Sequence, residues 1–465
     1  MNTAMKKTML SAAMLSASMG ANAGGFSAVI NSNDAGAGSL RHALETKQAS
    51  VIYILPSIRT INLESTLNYD ESKSLRLIGS GQTLSLAKNE TLLSINEGAD
   101  LHLSNLRLEG KPGAYDISNR GDLDGEIAGK GIFVDVRDDQ TGTVSVSLRN
   151  VHVEGFANHG VHISDCSLAD KCGSGSGGGG EGSPASVDVR MINSTIADVG
   201  NGKFDADGLR VDDRGEGDIY FYSRNSIFTK VGADGVELDE GNEGSIFVDV
   251  IRTQFTDNGG YCDPALLGAY ESDGEYDEGE VQESEIPALP TGTLDDTCFE
   301  REVSLHDDGS VEEYEIVLDL DDGIDLDEAG EGSLYAFMVG STIAGNLDEG
   351  VDFDEEGPGS IDSAFVRTIA KENNDDGFKL SEEDEGDVSV IVSRSKSLDN
   401  GGEGFTLEEA GAGNLDAIVL RTKSAGNKKK DKDQFEAVQE DEGQGTLRVF
   451  KSNIAGYTLE GVDKR

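Results

Sequence analysis

Hydrophobic and polar residues alternate in short runs along this chain, as in Gly-Val-Glu-Leu-Asp-Glu at 235–240 and Gly-Ile-Asp-Leu-Asp-Glu at 323–328. A period of two marks a strand with one buried face. The inward pairs are expected to be Leu209/Val211, Val236/Leu238, Ile324/Leu326, Val351/Phe353, Phe378/Leu380 and Phe405/Leu407. Each pair follows a glycine, at Gly208, Gly235, Gly323, Gly350, Gly377 and Gly404, with a spacing of 27 residues inside each run. A second glycine comes nine residues later in every copy, from Gly217 to Gly413, and a second strand opens two residues after it, from Ile219 to Leu415. Strands this short bury their inner faces only against neighbours, so the copies are expected to stack into a solenoid. Asn258, Asn346, Asn373, Asn400 and Asn427 all fall 23 residues after their leading glycine. Stacking brings such amides into a ladder in which each side chain bonds the next.

These glycine-led strands and stacked asparagine turns resemble the right-handed parallel β-helix repeat proteins, the pectate-lyase-like superfamily. The resemblance covers most of residues 50–460 and implies an all-β, right-handed parallel β-helix. Weaker copies lie upstream at Thr60–Leu63, Leu84–Leu86 and Leu101–Leu103, and further coils follow Gly131 and Gly160. Gly38–Leu44 resembles the short N-terminal helix that caps many such proteins, with Ser39 a good N-cap. The expected organisation is a signal peptide at 1–23, a cap at 24–50, and the β-helix at 51–465, with insertions at about 165–185 and 259–319. About 14 coils at ~4.8 Å make a rod near 65 Å long. Within the second insertion, Glu271–Glu285 is so acidic that it is expected to bury little and to move.

Lys6 and Lys7, the apolar stretch Met9–Met19 and Ala21-Asn22-Ala23 read as a secretory signal, which places the protein in the periplasm, the medium or the cell surface of a bacterium. No later stretch approaches the ~20 apolar residues of a membrane span. Four cysteines suit an oxidising compartment and allow three pairings. The two local ones, Cys166–Cys172 and Cys262–Cys298, are favoured because each staples one insertion.

Charge changes the picture most. Asp and Glu total 88 against 38 Lys and Arg, a formal charge of −50. Nucleic acid is excluded as a partner, because phosphate binding needs Lys/Arg clusters. The acids sit in register: Asp212/Asp213, Asp239/Glu240, Asp327/Glu328, Asp354/Glu355 and Glu408/Glu409 occupy the same two places in their copies, with Ser381/Glu382 between the last two pairs. Stacking makes columns of carboxylates ~5 Å apart, and like charges at that distance cost ~3 kcal/mol at an effective dielectric of 20. Calcium, which takes 6–8 oxygens, is the natural neutraliser; a solvated acidic face is the plain alternative. Arg224, Arg252, Arg367, Arg394 and Arg421 suggest a basic column late in the second strand.

Enzyme or scaffold is the remaining question. The resemblance implies polysaccharide lyases or glycoside hydrolases, and related lyases use an Arg or Lys base beside acid-bound calcium to take a proton next to a uronate carboxyl. The Asn-Thr-Asp and Gly-His-Gly signatures of β-helical polygalacturonases and the Pro-containing Arg motif of pectate lyases are missing from this sequence. Trp is absent and other aromatics are few, which weakens a sugar-stacking cleft. His152, His159 and His162 form the one histidine cluster, open to a general-base or metal role. The sequence alone favours a calcium-binding surface, adhesive or matrix protein, contacting extracellular polysaccharide or cell-surface components, over a calcium-dependent polysaccharide lyase or glycoside hydrolase.

Overall fold

Ile324 and Leu326 and their counterparts in adjoining coils turn inward and are fully buried, while Asp325 and Asp327 lie on the opposite face. The computed structural model describes residues 25–111, 129–165, 182–264, 272–287, 298–306, 308–427, 434–440 and 443–465. The signal-like leader, Cys166 and Cys172 lie outside these residues.

Among the described residues twelve strands, most of them glycine-led, stack in parallel into one face, from Leu67–Tyr69 through Leu209–Asp213 and Ile324–Glu328 to Thr458–Glu460. The second strand of each copy joins a 23-stranded sheet that runs in two rows round a corner. One row extends from Phe26–Val29 through Ile219–Arg224 to Val462–Lys464; the other holds three-residue strands such as Thr342–Ala344 and Ile369–Lys371. The fold is therefore an all-β parallel β-helix, and one apolar core fills it end to end. In that core Phe378 stacks on Phe405 at 4.8 Å, with Phe365 and Phe435 on either side. Each such buried side chain contributes roughly 1.5–3 kcal/mol.

The asparagine ladder forms as expected. Asn258, Asn346, Asn373 and Asn400 each donate their side-chain amide to the next Oδ1 at 3.0–3.2 Å. Asn427 ends it by donating to Gln434 Oε1 at 2.9 Å. A second, exposed ladder was not anticipated: Asn225, Asn193, Asn150 and Asn105 are linked at 2.9–3.3 Å. These four sit at the corner of the long sheet with φ of 50–55°, a left-handed turn that asparagine tolerates. In later coils Arg252, Arg367, Arg394 and Arg421 take the same corner. The basic column thus begins at Arg252; Arg224 is a strand residue opposite Ile251, one place out of step.

At the N-terminus, His42–Thr46 forms a single wide helical turn, with the Ser39 hydroxyl accepting the His42 N–H at 3.2 Å and Leu40, Ala43 and Leu44 buried. Stacking already starts inside the segment read as a cap, because Phe26–Val29 pairs with Val51–Ile54. In the second insertion, Ser272–Glu275, Phe299–Leu305 and Val311–Leu318 make a small antiparallel sheet. Ile286, Phe299, Val311, Tyr314 and Ile316 give it a core of its own, and Cys262–Cys298 ties it to the helix with Cα atoms 5.5 Å apart. The acidic stretch buries little, as expected, with Asp273, Asp277, Glu278 and Glu280 exposed, yet Ser272–Glu275 pairs as a strand with Val311–Leu318.

Candidate functional site

Strand alternation divides the acidic pairs into two columns with different surroundings. Asp213, Glu240, Glu328, Glu355 and Glu409 lie two residues beyond the last core position, share its face, and are 0–1% exposed. They point into the helix at a corner, where Gly332, Gly359 and Gly413 donate their N–H groups to Glu328, Glu355 and Glu409 at 2.8–3.2 Å. Asp212, Asp239, Asp327, Asp354 and Glu408 lie on the outer surface of the twelve-stranded face. The proposed ligand pairs are therefore not brought together as pairs.

On that outer surface, Arg210 is the hub. Its guanidinium meets five carboxylates: Asp205 at 3.1 Å, Asp207 at 3.3 Å, Asp212 at 2.7 Å, Asp239 at 3.4 Å and Glu237. Arg214 also binds Asp239, with Nη1 2.6 Å from Oδ1. Arg210 and Arg214 are at most 2% exposed. Two of the acids expected to hold metal, Asp212 and Asp239, thus have arginine partners.

Towards the N-terminus the surface changes character. In the preceding coil His162 stands opposite Arg210, and Ser164 opposite Asp212. His162 Nε2 lies 2.6 Å from Asp212 Oδ2, and His162 Nδ1 is bonded to Lys130 Nζ. With Asp212 as acceptor, the imidazole carries its proton on Nε2 and turns the Nδ1 lone pair to the lysine. Burial, reinforced by the positive charge of Lys203, pulls the Lys130 ammonium down to about 7. Burial and the Lys130 charge bring His162 down to about 4, against the opposing pull of Asp212. Burial works against the Asp212 carboxylate, but Arg210 and the hydrogen bond from His162 outweigh it and hold its pKa well below the usual range. His159 packs 4.6 Å from His162 and accepts the Asp207 N–H at 2.9 Å. Phe133 lies 5.4 Å from His162 and beneath Lys130. His152 does not join this group; it bonds Glu154 on the long sheet at 2.6 Å. Sequence reasoning found the two histidines and missed Lys130, Arg210 and Arg214, since only stacking register aligns residues 32 to 50 positions apart.

Further along, among the described residues, carboxylate oxygens converge within 4.8 Å in three groups: Asp205/Asp207/Glu237, Glu237/Asp325/Asp327 and Asp322/Asp348/Glu349. Arg210 supplies the counter-charge to the first two through Glu237. The third has Lys379 Nζ only at 3.9 Å, and Asp322 Oδ1 is buried without a hydrogen-bond partner. Its donor set is all oxygen, which suits a hard cation. Asp327 alone of the expected ligands falls in one of these groups.

The scarce aromatics are also gathered. Tyr220, Phe247 and Tyr335 stack at 5.0 Å on the outside of the long sheet, beside Tyr222 and Phe337, along an open groove of 590 Å³. Their ring faces meet one another, so mainly ring edges are offered to solvent.

The sequence matches no protein-family model and no curated protein. Solved structures similar to this chain include the A-module of Azotobacter vinelandii mannuronan C-5 epimerase AlgE6, at 10% identity over 94% of this chain and 99% of that one, with a TM-score of 0.48. The periplasmic alginate epimerase AlgG aligns over 83% and 77%, at 9% identity and a TM-score of 0.30. The Dettilon tailspike protein aligns over 91% and 64%, at 11% identity and a TM-score of 0.37. Among the described residues no helix is long and apolar enough to cross a membrane.

Proposed function

We propose that this chain is an exported polysaccharide-active β-helix enzyme that removes the proton beside a uronate carboxyl, the first step shared by lyases and epimerases. The observation that carries the reading is the line Lys130–His162–Asp212–Arg210 across neighbouring coils of the outer surface. A base for this step works best with a pKa near the working pH, and Lys130, brought down to about 7, meets that condition. His162 and Asp212 orient it and can take up charge as the proton arrives. Lys203, which has no ion pair among the described residues, places its charge beside the site and suits the substrate carboxylate, whose charge grows as the carbon loses its proton. This reading replaces the adhesive role as the leading one, because a scaffold has no need of a desolvated lysine against a histidine.

Calcium enters as a second element, at Asp322, Asp348 and Glu349, where the partnerless Asp322 oxygen supports it. There it would stabilise the rod and bridge to an anionic glycan. The purified protein is to be incubated with alginate, pectate and other uronate polymers in D2O. Deuterium entering the uronate ring, with or without chain cleavage, supports the reading; no exchange and no cleavage on any polymer rejects it. Isothermal titration with CaCl2 tests the second element, since Asp348→Asn should weaken binding at least tenfold.

A further inference from the structure

Glu240, Glu328, Glu355, Glu382 and Glu409 stand in direct register on five successive strands of the twelve-stranded face. Each gives one oxygen to backbone N–H groups of its own corner: Asn242 for Glu240, Gly332 for Glu328, Gly359 for Glu355, Gly386 for Glu382 and Gly413 for Glu409. The other oxygen, Glu240 Oε1 or Oε2 of the remaining four, is buried with no partner. Each carboxyl lies within hydrogen-bonding reach of the next in the column. Carboxylates accept and cannot donate, so two ionised neighbours leave both oxygens unsatisfied and repelling in a dry corner.

We propose that these five side chains form a proton-sharing column, in which the O–H of one carboxyl donates to the carboxylate oxygen of the next coil. A shared proton turns each repulsive contact into a charge-assisted hydrogen bond. Asp165 and Asp213 make a similar pair one coil before, where Asp165 takes the N–H groups of Ser183 and Arg214 and Asp213 that of Gly215. At the other end the register position passes from Glu409 to Gln439. The Gln439 amide donates to Glu440 O at 3.0 Å and accepts the Leu415 N–H at 2.9 Å, so a neutral isostere fits the corner. The groups facing the column are Asp213 at its head, Gln439 at its foot, the backbone amides at its side and the carboxyls themselves. No ion pair joins any of the five to Lys, Arg or His among the described residues.

Burial first, and the neighbouring carboxyl second, push Glu240 up to about 9 and Glu328 to about 8; burial brings Glu355 and Glu409 to about 7. Raised folded values mean that the native state holds protons the unfolded chain has released. The contribution is full below the ordinary glutamate range and is lost as pH rises through 7 to 9. Each such proton lowers the folding constant about tenfold per pH unit between the ordinary glutamate value and that group's folded value, and no further above it.

The test uses infrared spectra and thermal melts of the whole protein with EDTA present. At pH 6 the native wild type should show a protonated-carboxyl band that disappears on unfolding. Glu355→Gln keeps a donor at the middle of the column at every pH. Its fall in Tm between pH 6 and pH 9 should be smaller than that of the wild type, and its band weaker. Asp362→Asn, exposed on the outer face of the long sheet, should leave the band unchanged. An absent band overturns the proposal, even if Glu355→Gln fails to fold. So does an equal Tm fall in both proteins, or a column that melts on removing calcium and is indifferent to pH.

Discussion

His162 and Asp212 are 50 residues apart in the chain yet hydrogen-bonded at 2.6 Å, because Val161–Ser164 and Leu209–Asp213 are adjacent rungs of one sheet. The insertion between them leaves this register undisturbed. Asp212 is also the acceptor for Arg210 Nε at 2.7 Å, so one carboxylate fixes both a histidine and the charge hub beside it.

Two consequences for activity follow from this contact. His162→Ala should lower the rate of uronate proton exchange by roughly 10²–10⁴-fold, the usual worth of a general acid–base group, with Tm close to that of the wild type. Lys130→Met should be equally inactive. In the wild type, activity should climb as pH rises through about 7, where Lys130 loses its proton. A flat pH–rate profile between 6 and 8 would remove Lys130 from the role.

Replacing Asp212 by asparagine is expected to act differently. Arg210 is buried and loses a charged partner, and breaking a buried pair costs about 3–5 kcal/mol. Urea unfolding should therefore register Asp212→Asn strongly and His162→Ala weakly. The opposite order would mean that Arg210 is adequately balanced by its other four acids.

The amide ladder gives a third expectation. Asn373→Ala removes the Oδ1 that accepts from Asn346 and the amide that bonds Asn400. Leaving those buried partners unsatisfied costs about 1–3 kcal/mol each, so a loss of roughly 2–6 kcal/mol in urea unfolding is expected. Asn150→Ala, in the exposed ladder, should cost under about 1 kcal/mol, since water can replace its partner.

The disulfide Cys262–Cys298 closes a 36-residue separation, and loop entropy puts its contribution at about 4 kcal/mol. Because the small sheet beside this bridge has its own core, Cys262→Ser with Cys298→Ser should expose the insertion to protease. The main melting transition of the rod should move little. Loss of the whole transition would mean that the insertion supports the helix.

The repeat made most of this fold readable. Glycine spacing and the alternation of Ile324/Leu326 with Asp325/Asp327 specify both the strands and their inner faces, and Asn258 to Asn427 specify the corner. What alternation also dictated, but charge obscured, was that Glu328 shares the face of Leu326. Treating Asp327/Glu328 as one ligand pair overlooked the change of side between adjacent strand residues. The site itself was half legible. His159 and His162 stand out in a sequence with six histidines. Lys130 and Arg210 look ordinary until stacking brings them beside His162, and irregular spacing around both insertions hides that register. The aromatic row Tyr220, Phe247 and Tyr335 was hidden likewise, since their spacings of 27 and 88 residues become neighbours only in three dimensions.

The central claim, proton removal at the Lys130–His162–Asp212 line, is tested most directly by proton NMR of uronate polymers incubated with the protein in D2O. The account predicts deuterium at the carbon bearing the carboxyl on at least one polymer, lost in Lys130→Met and His162→Ala. Unchanged polymer spectra, or exchange that persists in both variants, would contradict it.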